Sequence, residues 1–202
     1  MARVTMRTST TRRLLSLQLM LIVLLFSLPS ESLVAQSFGE RRVHVGLKLF
    51  RTLVAADTAS AAKLDANGRL PVHLVYADNA RDAREYALEL AADMDSVRGA
   101  EVRIEVVSLA DLLSGGGIRP AAIFVTQPLD DRELARLVGY AIRQHAILFS
   151  PFEGDVEKGV LGGISVEATI RPLINMRTLR ASELAIKSFY LRVAKRYGDG
   201  EN

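Results

Sequence analysis

The chain has 202 residues with 26 Lys+Arg, 23 Asp+Glu and no Cys or Trp. Four of the basic residues and one acidic residue fall in the first 35, so residues 36–202 carry 22 of each and are formally neutral. That balance removes the usual electrostatic case for a nucleic-acid or membrane-surface binder, and the missing cysteines exclude thiolate metal sites, cysteine nucleophiles and disulfide chemistry.

Taken in chain order, Arg3, Arg7, Arg12 and Arg13 precede an apolar run, Leu14 to Leu28, broken only by Ser16, Gln18 and Ser27. Pro29, Ser30 and a small-residue edge at Ala35 follow. This order predicts a cleavable export signal over residues 1–35, because the run is shorter than the ~20 apolar residues of a membrane span. Residues 36–202 are then one exported domain, long enough to bury a core without staples.

Val43, Leu47, Phe50 and Val54 recur at helical spacing and predict a helix over 41–56. A strand, Leu70 to Tyr76, leads to Asp78 as N-cap of a helix over 79–96, with Ala83, Ala87, Leu90, Ala91 and Met94 inward. The strand Val102 to Val107 points Val102, Ile104 and Val106 to the core and Arg103 and Glu105 away from it. Ser108 caps a short helix through Leu113, ended by Gly115-Gly116-Gly117. Ala121 to Val125 is a buried strand, Asp130 or Asp131 starts a helix through His145, and Ala146 to Phe149 is another strand.

Strand and helix alternating at this spacing predict an α/β domain: three layers, a mostly parallel sheet with helices on both faces. Ile164–Ala168 and Ile170–Asn175 leave no room for a crossover helix, so they are expected to form a C-terminal antiparallel hairpin at the sheet edge, with Pro172 on its edge side. A closing helix over Glu183 to Arg196 is expected to turn Leu184, Ile186, Phe189, Tyr190 and Val193 inward.

No catalytic constellation is visible. His44, His73 and His145 stand on three different elements without ligand spacing, and His145 suits a helix C-terminus. The three glycines at 115–117 lack the Lys-Ser/Thr of a P-loop, and Ser165 sits inside a strand with Glu167 in place of the second glycine of a nucleophile elbow. No catalytic residue, metal or cofactor is therefore assigned. The loop Ser150 to Gly159 follows the carboxyl end of a parallel strand, where open α/β sheets place their crevices. Its Phe152 as aromatic anchor, with Glu153, Asp155 and Lys158 as polar rim, makes it the candidate partner-binding surface. The alternative is that Phe152 tucks under the loop.

The stretch from Gly159 to Ala194 has Gly162-Gly163-Ile164 opening a strand, Asn175 closing the next, and Ile186, Ser188, Leu191, Arg192 and Ala194 in the closing segment. In order and spacing it resembles the YfiR-like family of periplasmic regulatory proteins. Leu47-Lys-Leu-Phe50 and Leu74-Val-Tyr76 fit that pattern more loosely. The chain departs from it at Glu183, where the family often has Gly, in lacking the aromatic-Pro motif after the first helix, and in lacking the cysteines of some members. The resemblance implies a non-enzymatic regulator that binds the periplasmic domain of an inner-membrane signalling protein, a diguanylate cyclase or sensor kinase, and restrains it. A homo-oligomer is compatible with it. The competing expectation is a periplasmic small-solute-binding protein using the same crevice.

Overall fold

The computed structural model describes residues 31–115 and 117–200, with side chains from Gly39 onward. By its contacts the chain forms two units, Met1–Gly39 and Glu40–Asn202. The expected export segment lies outside the described residues, apart from residues 31–35. Those begin helix α1, Glu31–Ala56, which starts ten residues before the helix predicted at 41–56 and passes through the expected cleavage edge.

From Glu40 onward the chain alternates strand and helix as expected. β1 (Leu70–Tyr76), α2 (Ala80–Asp93), a two-residue β2 (Ser96–Val97), β3 (Ala100–Ser108), α3 (Leu109–Ser114), β4 (Ala122–Val125), α4 (Asp131–Arg143) and β5 (Ile147–Phe149) lead to β6 (Gly162–Val166) and β7 (Ile170–Asn175). Helices α5 (Met176–Ala181) and α6 (Ser188–Val193) and strand β8 (Lys195–Tyr197) complete the domain. The sheet order is β2-β3-β1-β4-β5-β6-β7-β8, parallel except for the β2–β3 and β6–β7 pairs. The predicted α/β architecture with its antiparallel hairpin is the one observed.

The alternation of side chains along the strands divides the core in two. Val72 and Leu74 of β1, Ala122 and Phe124 of β4, and Ile147 and Phe149 of β5 face α1 and α2. Val75, Ile123, Val125 and Leu148 face α3 and α4. Phe50 of α1 meets Phe124 and Phe149 with ring centroids 5.4 and 5.9 Å apart, and all three rings are fully buried. Each such ring contributes about 1.5–3 kcal/mol by burial, so this trio is what fixes α1 over the middle of the sheet.

Helix ends follow local chemistry. Asn79, not the expected Asp78, caps α2: its side-chain oxygen accepts from the Arg81 and Asp82 amides. Gln127 Oε1 accepts from the Asp78 and Asn79 amides and so sets where that helix begins. Asp130 and Glu133 form a capping box at the start of α4. Past its end, His145 takes a left-handed φ of 51°, and the amides of His145 and Ala146 donate to Ile142 and Ala141. This is a Schellman stop with histidine where glycine is usual.

The closing segment departs most from expectation. The helix predicted over 183–196 does not form: Glu183 has φ 51°, which ends the α5 turn, and only Ser188–Val193 is helical before β8. Left-handed backbone is where glycine is favoured, and here it carries a glutamate. Tyr190 packs inward as predicted, whereas Phe189 and Val193 are 66% and 45% exposed. The hairpin is not the edge of the sheet either, because β8 pairs parallel to β7 along Leu173–Asn175. Pro172, without an N–H, lies just before that pairing, which is where its missing donor does least harm.

Gly162 and Gly163 show why β6 needs two bare positions. A Cβ on Gly162 would stand 2.8 Å from Leu53 Cδ2 of α1, and one on Gly163 would stand 2.6 Å from Val156 Cγ2 and 3.0 Å from the Ser150 carbonyl oxygen. Gly163→Ala is therefore expected to destabilise the domain by about 1–3 kcal/mol through overpacking, lowering the thermal midpoint by about 2–4 °C per kcal/mol. Gly117→Ala, which meets nothing within 4 Å, should change stability by less than about 0.5 kcal/mol. Equal melting of the two variants would contradict the close-packing account.

Candidate functional site

The connection from β5 to β6 is held from every side. The Ser150 amide donates to Gly162, Ser150 Oγ donates to Asp155 Oδ2 at 2.5 Å, and the Val160 amide donates to Asp155. Asn175, buried at the end of β7, both caps α5 and donates from Nδ2 to the Val156 carbonyl at 2.8 Å. Thr178 Oγ1 donates to Gly159 O, and Arg42 Nε of α1 donates to Pro151 O. The loop is therefore a fixed surface.

That fixing separates the four residues predicted for partner binding. Phe152 is half-buried and packs against both core clusters, in keeping with the alternative in which it tucks under the loop. Glu153 is exposed. Asp155 is buried, occupied by Ser150. Lys158 is exposed but engages Asp131 at the start of α4, at 2.7 Å. Phe152 and Glu153 come together on one wall of a cleft of about 240 Å³, and neither Asp155 nor Lys158 lines it.

The opposite wall of that cleft is the sheet edge, with Val166, Lys195, Arg196 and Tyr197. The exposed large apolar side chains of this end of the domain are Val166 and its cross-strand partner Ile170, Phe189 and Val193 one turn apart on α6, and Tyr197 on β8, of which Val166 and Tyr197 line the cleft. Seven Lys/Arg against three Asp/Glu occur between Val166 and Gly200. Within that group, Glu167 accepts from Lys195 and Arg171 at 2.6 and 2.8 Å, which holds its carboxyl below the usual range. Arg192 lies over the Phe189 ring, 5.8 Å from its centroid. This end of the chain thus combines exposed apolar side chains with a basic excess in sequence. Sequence reasoning missed it by turning Phe189 and Val193 inward with Tyr190. Phe189 stands about 100° round the helix axis from Tyr190, so an inward Tyr190 turns Phe189 out.

The remaining sequence candidates do not assemble. His44 pairs with Glu89 at 2.6 Å, His145 Nδ1 meets Ser182 O at 3.0 Å, and His73 is buried in β1. Ser165 is buried mid-strand in β6, away from any strand-to-helix turn. Among the described residues no group of three or more His, Cys, Asp or Glu could hold a metal ion.

No known protein-family model matches the chain, and no curated protein matches it in sequence. In solved structures it is similar, at 12% identity and TM-score 0.44, to an ABC domain in complex with L-Trp from Streptococcus pneumonia, over 71% of this chain and 61% of that one. It is similar too, at 14% identity and TM-score 0.45, to a conserved domain protein from Vibrio cholerae, over 67% of this chain and 57% of that one. The chain thus spans about three fifths of each.

Burial raises the Asp155 carboxyl above its ordinary value, with the Ser150 hydroxyl pulling the other way. A carboxyl raised in the folded state contributes stability below its unfolded pKa of about 3.9, and that contribution is lost as pH rises through the folded value. Asp155→Asn keeps an acceptor for Ser150 and cannot ionise. Its stability relative to wild type is therefore expected to be greater at about pH 7 than at about pH 4 in denaturant titrations. A difference independent of pH would contradict the assignment.

Proposed function

We propose that this chain is an exported, non-enzymatic regulatory protein that binds the periplasmic domain of an inner-membrane signalling protein, a diguanylate cyclase or sensor kinase, and restrains it. The observation that carries the reading is the edge cleft, where Phe152 and Glu153 meet Val166, Lys195, Arg196 and Tyr197, with Phe189 and Val193 exposed on the neighbouring α6. Clustered apolar side chains rimmed by charge suit a protein partner better than a solute. At about 240 Å³ and open to solvent, the cleft is also small for a site that must enclose a metabolite.

The order of basic, apolar and small residues before Gln36 and the resemblance of Gly159–Ala194 to YfiR-like proteins supply the compartment and the kind of partner. The excess of Lys and Arg between Val166 and Gly200 calls for an acidic patch on that partner. Restraint then requires only that the face bind the inactive conformation of the partner more tightly than the active one.

Phe189 on α6 and Tyr197 on the cleft wall are both exposed and belong to neither core cluster, so changing them leaves the core untouched. The double variant Phe189→Asp/Tyr197→Asp is expected to abolish photocrosslinking to an inner-membrane protein from cells while shifting stability by less than about 1 kcal/mol. Retained crosslinking in a folded double variant would remove this face from consideration. A crosslink only to a second copy of the chain would make it a self-association surface instead.

A further inference from the structure

The edge cleft has walls of opposite charge. On the loop wall Glu153 and Glu157 are exposed, and neither makes a hydrogen bond or ion pair among the described residues. On the edge wall Lys195 and Arg196 each hold one carboxylate, Glu167 and Asp199, and their side chains remain 48% and 43% exposed. Ion pairs this exposed contribute little and are easily exchanged for others. Arg42 stands where the loop leaves β5: its Nε is fixed on Pro151 O, and its terminal nitrogens engage no described residue.

Strand register gathers the floor between these walls. Gly163, Leu173 and Lys195 are successive cross-strand partners on β6, β7 and β8, so Leu173 and Lys195 share the face on which Val156 fills the space over Gly163. Ser165, two residues beyond Gly163, points to that same face. Ser165 is 7% exposed, yet its hydroxyl keeps accessible surface and makes no hydrogen bond among the described residues. A buried hydroxyl is ordinarily satisfied. This one borders the cleft, with Val156 and Leu173 as apolar surface beside it.

On the reading of this cleft as a partner surface, we propose that it takes one extended segment of the partner in which an aliphatic side chain stands between a carboxylate and a cation. The aliphatic group lies on Val156 and Leu173, the carboxylate faces Lys195 and Arg196, the cation faces Glu153 and Glu157, and a main-chain carbonyl accepts from Ser165 Oγ. Alternate side chains of an extended chain share a face and stand about 7 Å apart, so the three fall at i, i+2 and i+4. A purely acidic segment would set like charge against the unpaired carboxylates of the loop wall. A cleft of about 240 Å³ has room for one side chain and its adjoining backbone.

The test is an NMR titration of the purified protein with acetyl-Glu-Gly-Leu-Gly-Lys-amide and three counterparts: one with Gly for Leu, one with Glu at both ends and one with Lys at both ends. The first peptide is expected to move the signals of Ser165, Leu173 and Lys195 saturably. It should bind at least about ten-fold more tightly than the Gly counterpart, the effect of burying one aliphatic side chain. Its advantage over either single-sign peptide should be about two- to five-fold, as exposed ion pairs allow. Glu153→Gln/Glu157→Gln should erase the advantage over the doubly acidic peptide. Ser165→Ala should weaken binding by about two- to ten-fold without lowering the thermal midpoint. No saturable shift at these residues, or equal binding of the four peptides, would overturn the proposal. A failed titration with crosslinking still lost in Phe189→Asp/Tyr197→Asp would overturn this segment alone and leave the partner surface standing.

Discussion

The structure depends on a strand that opens with two bare positions, one on each face of the sheet. β6 begins with Gly162 and Gly163, which point to opposite faces because successive residues on a strand alternate. Through Gly162 the Leu53 side chain of α1 comes down onto the backbone, and through Gly163 the β5–β6 connection does the same with Val156 and the Ser150 carbonyl. Any Cβ at either position forces the helix or the loop away from the sheet. That displacement would loosen the network of Ser150, Asp155, Asn175 and Thr178 that shapes the loop.

A fixed loop has consequences at the edge. Because Asn175 both caps α5 and ties down Val156, the loop and the segment from α5 to β8 are positioned by one buried side chain. The cleft between Phe152 and Tyr197 therefore keeps its shape without a ligand. Beyond it the outer side of β8 has no strand partner among the described residues, yet β8 is three residues long and carries Lys195 and Arg196. Short, basic edges discourage uncontrolled strand pairing. Contact there is best made by side chains, which is the role proposed for Phe189, Val193 and Tyr197.

The central strands were legible because each is a β-branched or apolar run bounded by turn residues, and period 2 and period 3.6 alternate without ambiguity from Leu70 to Phe149. The hairpin followed from two adjacent strand patterns with no crossover between them. What escaped were features set by tertiary contacts. Asp78 and Asn79 are equally good caps in sequence, and Gln127, 48 residues on, chose between them. The break at Glu183 needs a left-handed residue that carries no glycine to announce it. β8, three residues without an apolar alternation, forms only because β7 offers an edge. At the candidate site the loop itself was found by its place after β5. Which of its residues face out was not, since Asp155 reads as rim by composition and becomes core through Ser150. His73 was visible as a lone histidine, but its burial beside Glu105 emerges only when β3 pairs with β1.

The account rests on the β5–β6 connection being held as firmly as the sheet it joins, and amide hydrogen exchange on the purified protein measures that directly. The amides of Ser150, Val160 and Asn175, which donate to Gly162, Asp155 and Leu161, are predicted to exchange as slowly as those of β4 and β5. Exchange of these three amides as fast as the exposed turn at Asn67 and Gly68 would contradict it, and would mean that the double glycine leaves the loop free.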